Sequence, residues 1–335
     1  MHNFISYNLV SKYIWNKNLP LWLLLWPFSL IYEFTIWIIR LSFNCGWFKK
    51  WQAPCPIVIV GNITVGGSGK TPMVIWLVQQ LKARGLNVGV VSRGYKGKSN
   101  YYPVLVTNET PVNQAGDEAI LIVQRTQVAL AVAPNRRLAI EALLDVYDLD
   151  LIIMDDGLQH YALQRDFEII VIDGIRRFGN GWLLPSGPMR ERISRLNEVD
   201  AVIINGGKRQ NSEIGMTLQF GLAVNLLTGQ TVPIKQLSTI IAIAGIGNPQ
   251  RFFNMIKNHG ITPKVEISFE DHYNYDSTEL YNLTQNNESL LMTEKDAVKC
   301  RSFAYPHWWY LPVYACIYDG NKATDLLDNI SKLCV

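Results

Sequence analysis

The segment Thr64-Val-Gly-Gly-Ser-Gly-Lys-Thr71 carries residue types that cradle the phosphates of a nucleoside triphosphate. It follows the P-loop pattern G-x-x-x-x-G-K-[ST], with Thr64 in place of the first glycine. Gly66, Gly67 and Gly69 free the backbone to turn its N–H groups inward, with Val65 before them and Ser68 between them in the same loop. Lys70 neutralises the β- and γ-phosphates, and the Thr71 hydroxyl ligates Mg²⁺. A helix expected to begin at Pro72 adds its positive end, and proline suits a first helical position. The ordinary alternative is a glycine-rich turn. A β-branched run before it, Ile57 to Val60, and helical periodicity after it argue against that.

Carboxylates come next. Leu151-Ile-Ile-Met-Asp155-Asp156 reads as an apolar strand ending in two acids. Strand ends line the ligand crevice of a parallel sheet, where an acid holds magnesium directly or through water. Adjacent acids leaving a strand point different ways and so divide roles, unless they form a solvated turn. Gln159 and His160 follow and extend the polar site; His160 alone reads equally well as structural. Gly116-Asp117-Glu118-Ala119 opens a predicted helix. An acid there is an ordinary cap, or a base for a substrate hydroxyl, or a second metal ligand.

These residues need a scaffold. Strands are expected at 57–60, 88–91, 128–132, 151–154, 168–172 and 201–204, with helices at 72–82, 116–124 and 135–147. Short apolar strands alternating with helices predict a mostly parallel sheet covered on both faces, a P-loop NTPase-like α/β fold. Residues 217–227 read as an extended connection. A second, smaller α/β unit follows, with strands at 239–244, 265–269, 290–292 and 309–313 and a helix at 250–259. The expected division is a membrane-associated helical segment over 1–50, a P-loop kinase domain over 51–210, and a C-terminal domain over 211–335 that closes the active-site cleft.

The 335 residues suffice for two packed domains, and 48% apolar composition excludes a disordered chain. A net charge of +3 is too small to make nucleic acid the main partner. The five cysteines are odd in number and form no C-x-x-C pair, so neither a zinc site nor a disulfide framework is expected. The N-terminus stands apart. Leu19 to Trp47 is apolar and holds four tryptophans, rings suited to a headgroup boundary. Pro27 and Glu33 interrupt it, and no small-residue cleavage site follows. Lys12 and Lys17 precede it and Arg40, Lys49 and Lys50 close it, so positive charge gives no orientation. A helix seated in or partly inserted into a membrane is expected; the alternative is a helix or hairpin buried against the domain.

Together the motifs resemble those of the tetraacyldisaccharide 4'-kinase family of lipid A assembly. The matching pieces are Gly61 to Pro72, Ser92-Arg-Gly-Tyr95, Gly116 to Ala119, Asp155-Asp-Gly-Leu-Gln-His160, Leu184 to Glu191, Asp271-His-Tyr273 and Thr293 to Lys299. The family's loop also commonly carries Thr or Ser where the strict pattern wants Gly, so Thr64 counts toward the match. The resemblance implies that ATP, with Mg²⁺, phosphorylates the 4'-hydroxyl of an acylated glucosamine disaccharide 1-phosphate. The product would be the bisphosphorylated lipid A precursor, made at the cytoplasmic face of the inner membrane. It implies Asp117 as catalytic base, His272 as its partner from the second domain, and Glu118 with Asp155 or Asp156 as metal-site acids. Arg190 is implied as a phosphate or substrate contact. Arg93, Gln159 and Lys295 sit in matching motifs without an assigned chemistry. No obligatory protein partner is evident.

Three rivals carry distinct signatures. A P-loop GTPase reads guanine with N-K-x-D, which does not occur; Thr293-Glu-Lys-Asp296 only imitates it. A transport ATPase of the ABC class would carry that class's signature, which is absent. A soluble small-metabolite kinase would work without residues 1–50.

Overall fold

The computed structural model describes Trp15, residues 22–284 and residues 288–334. Lys12, Lys17 and the first three residues of the apolar run, Leu19 to Leu21, lie outside the described residues.

Among the described residues, fifteen strands form two sheets. They are β1 (Ile57–Gly61), β2 (Val88–Ser92), β3 (Val104–Val106), β4 (Ala129–Val132), β5 (Leu151–Asp155), β6 (Phe167–Asp173), β7 (Ala201–Asn205), β8 (Ile214–Phe220), β9 (Ala223–Asn225), β10 (Thr231–Val232), β11 (Ile240–Ala244), β12 (Val265–Ser268), β13 (Ser289–Thr293), β14 (Trp308–Leu311) and β15 (Val313–Ile317). The larger sheet runs β15-β8-β7-β6-β1-β5-β2-β4-β3, the smaller β10-β9-β14-β13-β11-β12.

In the larger sheet β1 lies between β5 and β6, parallel to both. The chain leaves β1 in one direction and later returns to its other side, so a crevice opens at the carboxyl ends of these strands. The β1 residues show why the sequence reads as a continuous apolar run. Val58 and Val60 face one core with Leu77 and Ile122, while Ile57 and Ile59 face another with Ile140 and Leu143. A strand covered on both faces has no polar side to alternate with.

The smaller sheet repeats this arrangement. Phe252, Phe253 and Ile256 of the helix Pro249–Asn258 cover one face, and Leu280, Ala297 and Cys300 cover the other with Trp308.

Sheet membership does not follow the single cut expected near residue 211. β8, read from sequence as part of an extended connection, pairs with β7 in the larger sheet. β15 returns to pair antiparallel with β8. The helix Gly320–Ser331 then packs Leu326, Leu327 and Ile330 into the core under the helix Lys70–Ala83. The run expected as one strand over 309–313 is divided at Pro312, which has no N–H to give a ladder. The chain therefore crosses between sheets twice, after Phe220 and after Leu311, and the crossings touch: Gly221 N donates to Pro312 O at 2.9 Å.

The helix Asp117–Thr126 of the larger unit packs on the helix Glu294–Cys300 of the smaller. Arg125 Nη1 donates to both oxygens of Glu294 at 2.9 and 2.7 Å, and its guanidinium covers the Tyr314 ring at 4.3 Å. Val313 N also donates to Glu294. Burial pushes the Glu294 carboxyl up even so, against Arg125.

The helix Trp22–Asn44 is long and apolar enough to cross a membrane, with mean hydropathy 1.6 and 6% of its most apolar window buried. A polar stripe and a few aromatic rings meet the body, with Trp22 and Trp26 against Trp182 and Phe43 against Tyr161. Ser29 Oγ donates to Leu183 O and accepts from Ser186 N, and Tyr32 donates to Arg190 O. Glu33 pairs with Arg192, and Arg40 with Glu198. Leu24, Phe28, Ile31, Phe34 and Trp37 are exposed. The alternative of a buried helix is thus set aside.

Removing Arg125 leaves a buried carboxylate unpaired. Arg125→Ala is expected to lower the unfolding free energy in urea by ~3 kcal/mol, and Arg125→Ala with Glu294→Leu to recover most of it. A loss below about 1 kcal/mol for the single variant would class the pair with surface ion pairs.

Candidate functional site

Backbone geometry shapes the loop between β1 and the helix Lys70–Ala83. Gly66 and Gly69 take φ of 95° and 98°, conformations that L side chains rarely adopt. A Cβ on Gly69 would also stand 2.3 Å from Asn205 Nδ2, which donates to Ser68 O at 2.9 Å. Thr64 needs no glycine. It is buried and extended in a short antiparallel bridge to Met189, with Val65 N donating to Pro188 O and Arg190 N to Ile63 O. That bridge explains the departure from the strict pattern and delivers Arg190 to the loop. Gly66 and Gly67 face outward, open to a ligand.

The two acids after β5 have opposite environments. Asp156, at φ 51°, lies between cations: Lys70 Nζ is 3.5 Å from Oδ1, and Arg190 Nη1 is 3.2 Å from both oxygens. Burial raises its carboxyl, but Lys70 and Arg190 prevail and hold it below the usual range. Asp155 is 1% exposed, and its Oδ1 has no hydrogen-bond partner among the described residues. Burial, then Glu118, then Asp156 push its carboxyl up to about 7. The strand ends on Asp155, which stays in the interior, and the left-handed turn at Asp156 carries the second acid to the cations.

Gln159 joins this cluster. Its Nε2 donates to Glu191 Oε1 at 2.7 Å and to Asn62 O, and its Oε1 accepts from Arg190. His160 stands apart from it. Burial, with Arg136 and Arg165 beside it, pulls the ring down to about 4, so it is neutral.

The base pair expected from resemblance is assembled across the two sheets. Asp117 begins its helix after Gly116, whose φ is 85°. His272, at φ 62° in the loop after β12, places Nδ1 2.9 and 2.8 Å from the two Asp117 oxygens. Its own N–H donates to Gly245 O. Burial would raise the Asp117 carboxyl, but Lys295 and His272 outweigh it and hold it ionised. Glu118 is engaged by Lys295 Nζ at 3.1 Å. Among the described residues no three His, Cys, Asp or Glu side chains are grouped to hold a metal by themselves.

Sequence reasoning passed over several residues here. Arg176 Nη2 donates to Val65 O, and Arg251 Nη2 reaches Asn205 Oδ1 at 2.5 Å. Gly247 of the smaller unit stands against the loop, where an added Cβ would be 2.9 Å from Gly67 N. Tyr95 sets its ring 5.0 Å from His272. A usable signal existed: Asp173-Gly, Asn205-Gly-Gly and Gly245-Ile-Gly247 each end a strand on the ligand edge. A cavity of about 320 Å³ also opens between the N-terminal helix and residues 183–198, lined by Trp37, Arg40, Arg190 and Glu198 among others.

Residues 21–332 match the family model described as tetraacyldisaccharide-1-P 4'-kinase. The chain is similar to the tetraacyldisaccharide 4'-kinase of Hamiltonella defensa subsp. Acyrthosiphon pisum (strain 5AT), 56% identical over 321 residues, 96% of this chain and 98% of that protein. Its fold is similar to the crystal structure of the "apo" form of LpxK from Aquifex aeolicus in complex with ATP. That likeness has a TM-score of 0.78 and 28% identity, covering 94% of this chain and all of the other.

The Asp155 environment gives a signed pH dependence. Its folded carboxyl titrates near 7, above the ~3.9 of an unfolded chain, so its contribution to stability is full below that lower value and lost as pH rises through 7. In metal-free protein, Asp155→Asn is expected to raise the melting temperature at pH 8 more than at pH 5, and to lose activity. An equal shift at both pH values would refute the raised carboxyl.

Proposed function

The chain belongs to the tetraacyldisaccharide-1-phosphate 4'-kinase family and phosphorylates its lipid disaccharide with ATP, and we propose how its residues divide that work. Asp117 takes the proton of the 4'-hydroxyl. The oxygen then bonds to the γ-phosphorus as the bond to the β,γ-bridging oxygen breaks and ADP leaves. Such a transfer asks the protein mainly for alignment and neutralisation of charge. The observation that carries the assignment is the Asp117–His272 contact, which holds a buried, ionised carboxylate next to Glu118, itself close enough to Asp155 at the end of β5 to raise that carboxyl.

Lys70 and Arg190 are the cations for the phosphoryl group. The 3.5 Å Lys70–Asp156 contact is long for a hydrogen bond, so Lys70 exchanges partners readily. Val65 N is taken by Pro188 O, so the backbone N–H groups from Gly66 to Thr71 are the ones that cradle the phosphates. The donor set also fits magnesium, because Asp155 Oδ1 is a buried oxygen without a partner and its carboxylate is destabilised by its surroundings. Thr71 and Asp155 would hold the ion with the nucleotide's own oxygens, Asp156 lying between them and the cations. Bound magnesium supplies charge neutralisation on the β- and γ-phosphates. Glu118, committed to Lys295, serves the base instead of the metal.

The exposed apolar face of Trp22–Asn44 supports a seat in the lipid, with the cleft on the cytoplasmic side where ATP is available. The acyl chains stay in the bilayer while the sugar reaches the cleft past the cavity beside Arg190. Residues 223–311 then act as the lobe that closes over the nucleotide, with Gly247 against the loop.

The test is transfer of label from γ-labelled ATP to detergent-solubilised tetraacyldisaccharide 1-phosphate. Wild type is expected to yield labelled bisphosphorylated lipid, and Lys70→Ala none. Asp117→Asn is expected to lose ~10²-fold or more in kcat while nucleotide affinity holds. An effect confined to KM would remove Asp117 as the base.

A further inference from the structure

Lys295 follows the end of β13, and its ammonium has three N–H bonds and three partners. Nζ lies 3.1 Å from Glu118 Oε1, 3.3 Å from Asp271 Oδ1 and 3.3 Å from His272 Nε2. The side chain is 16% exposed. Burial alone would favour the neutral amine, but Glu118, Asp117 and Asp271 outweigh it and keep the group protonated.

A protonated ammonium has no lone pair. Toward Nε2 of His272 it only donates, so Nε2 must present the lone pair of the ring. The other ring nitrogen faces both oxygens of an ionised carboxylate, Asp117, which only accept. Nδ1 must therefore carry the proton. One state satisfies both contacts, the neutral imidazole protonated on Nδ1. An imidazolium would set N–H against ammonium at 3.3 Å, and the other tautomer would fail at both ends.

The remaining groups around the ring do not reverse this. Asp271 Oδ1 would favour a proton on Nε2, but it is farther, 3.7 Å, and shares its charge with Lys295. Lys96 donates to the Asp271 carbonyl, Tyr95 lies against the ring, and Lys299 adds positive field at Asp117.

We propose that Lys295 is a positioning residue for the phosphoryl transfer, locking His272 as the neutral Nδ1–H tautomer so that His272 orients Asp117 without receiving the transferred proton. The acceptor O–H bond breaks, its oxygen bonds to the γ-phosphorus, ADP departs, and the proton stays on Asp117. His272 keeps one proton throughout. This inference rests on the reading of Asp117 as the base.

The experiment is a long-range ¹⁵N–¹H spectrum of the full-length, histidine-labelled protein in detergent, with His272 assigned by its loss in His272→Gln. At pH 7 the wild-type ring is expected to show one protonated nitrogen, Nδ1. In Lys295→Met, Nε2 gains a proton, and kcat falls ~10-fold while KM for ATP stays within about threefold. Lys295→Arg keeps the charge and is expected to keep the neutral ring. A wild-type ring that is doubly protonated or protonated on Nε2 overturns the lock, and so does an unchanged ring in a folded Lys295→Met. The wild-type spectrum decides even if that variant does not fold. If Asp117→Asn keeps full turnover while the ring is Nδ1–H, the base assignment falls and the lock stands. A wrong tautomer with an inactive Asp117→Asn gives the converse.

Discussion

The contact between Asp117 and His272 is the interaction on which the site depends, because each partner is delivered by a different sheet. Asp117 opens a helix of the larger unit, and His272 sits in a loop after β12 of the smaller. At 2.8 and 2.9 Å the contact is a charge-assisted hydrogen bond. It holds only while the two units keep their spacing. That spacing is set nearby by Arg125 and Glu294, whose helices carry Asp117 and Lys295 at their other positions. The proposed base, Asp117, and Lys295 are thus mounted on two packed helices, which position side chains more sharply than loops do. His272 itself occupies left-handed backbone, a conformation a non-glycine residue holds only when its surroundings over-determine it. Its N–H bond to Gly245 O and the ring's two polar contacts do so.

The neighbouring acids at the end of β5 illustrate how one strand supplies two chemistries. Asp155 and Asp156 are identical in type and adjacent in sequence. The strand end buries the first near Glu118, and the left-handed turn that follows sets the second between Lys70 and Arg190. Desolvation acts on both; only Asp156 has cations close enough to overcome it. An environment that destabilises the Asp155 anion without a cation is also what supports its proposed role as a ligand for one. The same residue is then a loss to the stability of the metal-free fold, the usual conflict between a strained site and a stable scaffold.

Much of this was legible in the residues. The P-loop, the acid-tipped strand β5 and the central strands announce themselves through glycine spacing and β-branched runs, because they answer to local chemistry and to burial on both faces. Thr64 was legible only by resemblance, since its reason is a bridge to Met189 more than a hundred residues away. β8 and β15 were not legible. Ile214–Phe220 mixes buried and half-exposed residues and pairs with a strand that arrives after the whole second sheet. Periodicity reports which faces are covered, never by which partner. Lys295 failed for the same reason: its motif begins a helix like any other, and its three partners come from the loop after β12 and from the far unit.

Among the described residues, the hydrogen bonds and ion pairs from the N-terminal helix to the body converge on the stretch that carries Arg190. The helix bonds residues 183–198 through Ser29, Tyr32, Glu33 and Arg40, and Arg190 in that stretch grips Asp156 at the mouth of the P-loop. An acceptor with several acyl chains gives up ~0.8 kcal/mol for every methylene drawn out of the bilayer, so it does not travel to a soluble active site. The site has to reach the headgroup boundary instead, and it has to do so at a fixed depth if a sugar hydroxyl is to meet a phosphorus in line. An apolar helix alone would float. In the proposed membrane seat, a helix pinned to the loop carrying Arg190 would set the height of the cleft above the lipid, making alignment at the membrane a property of the fold.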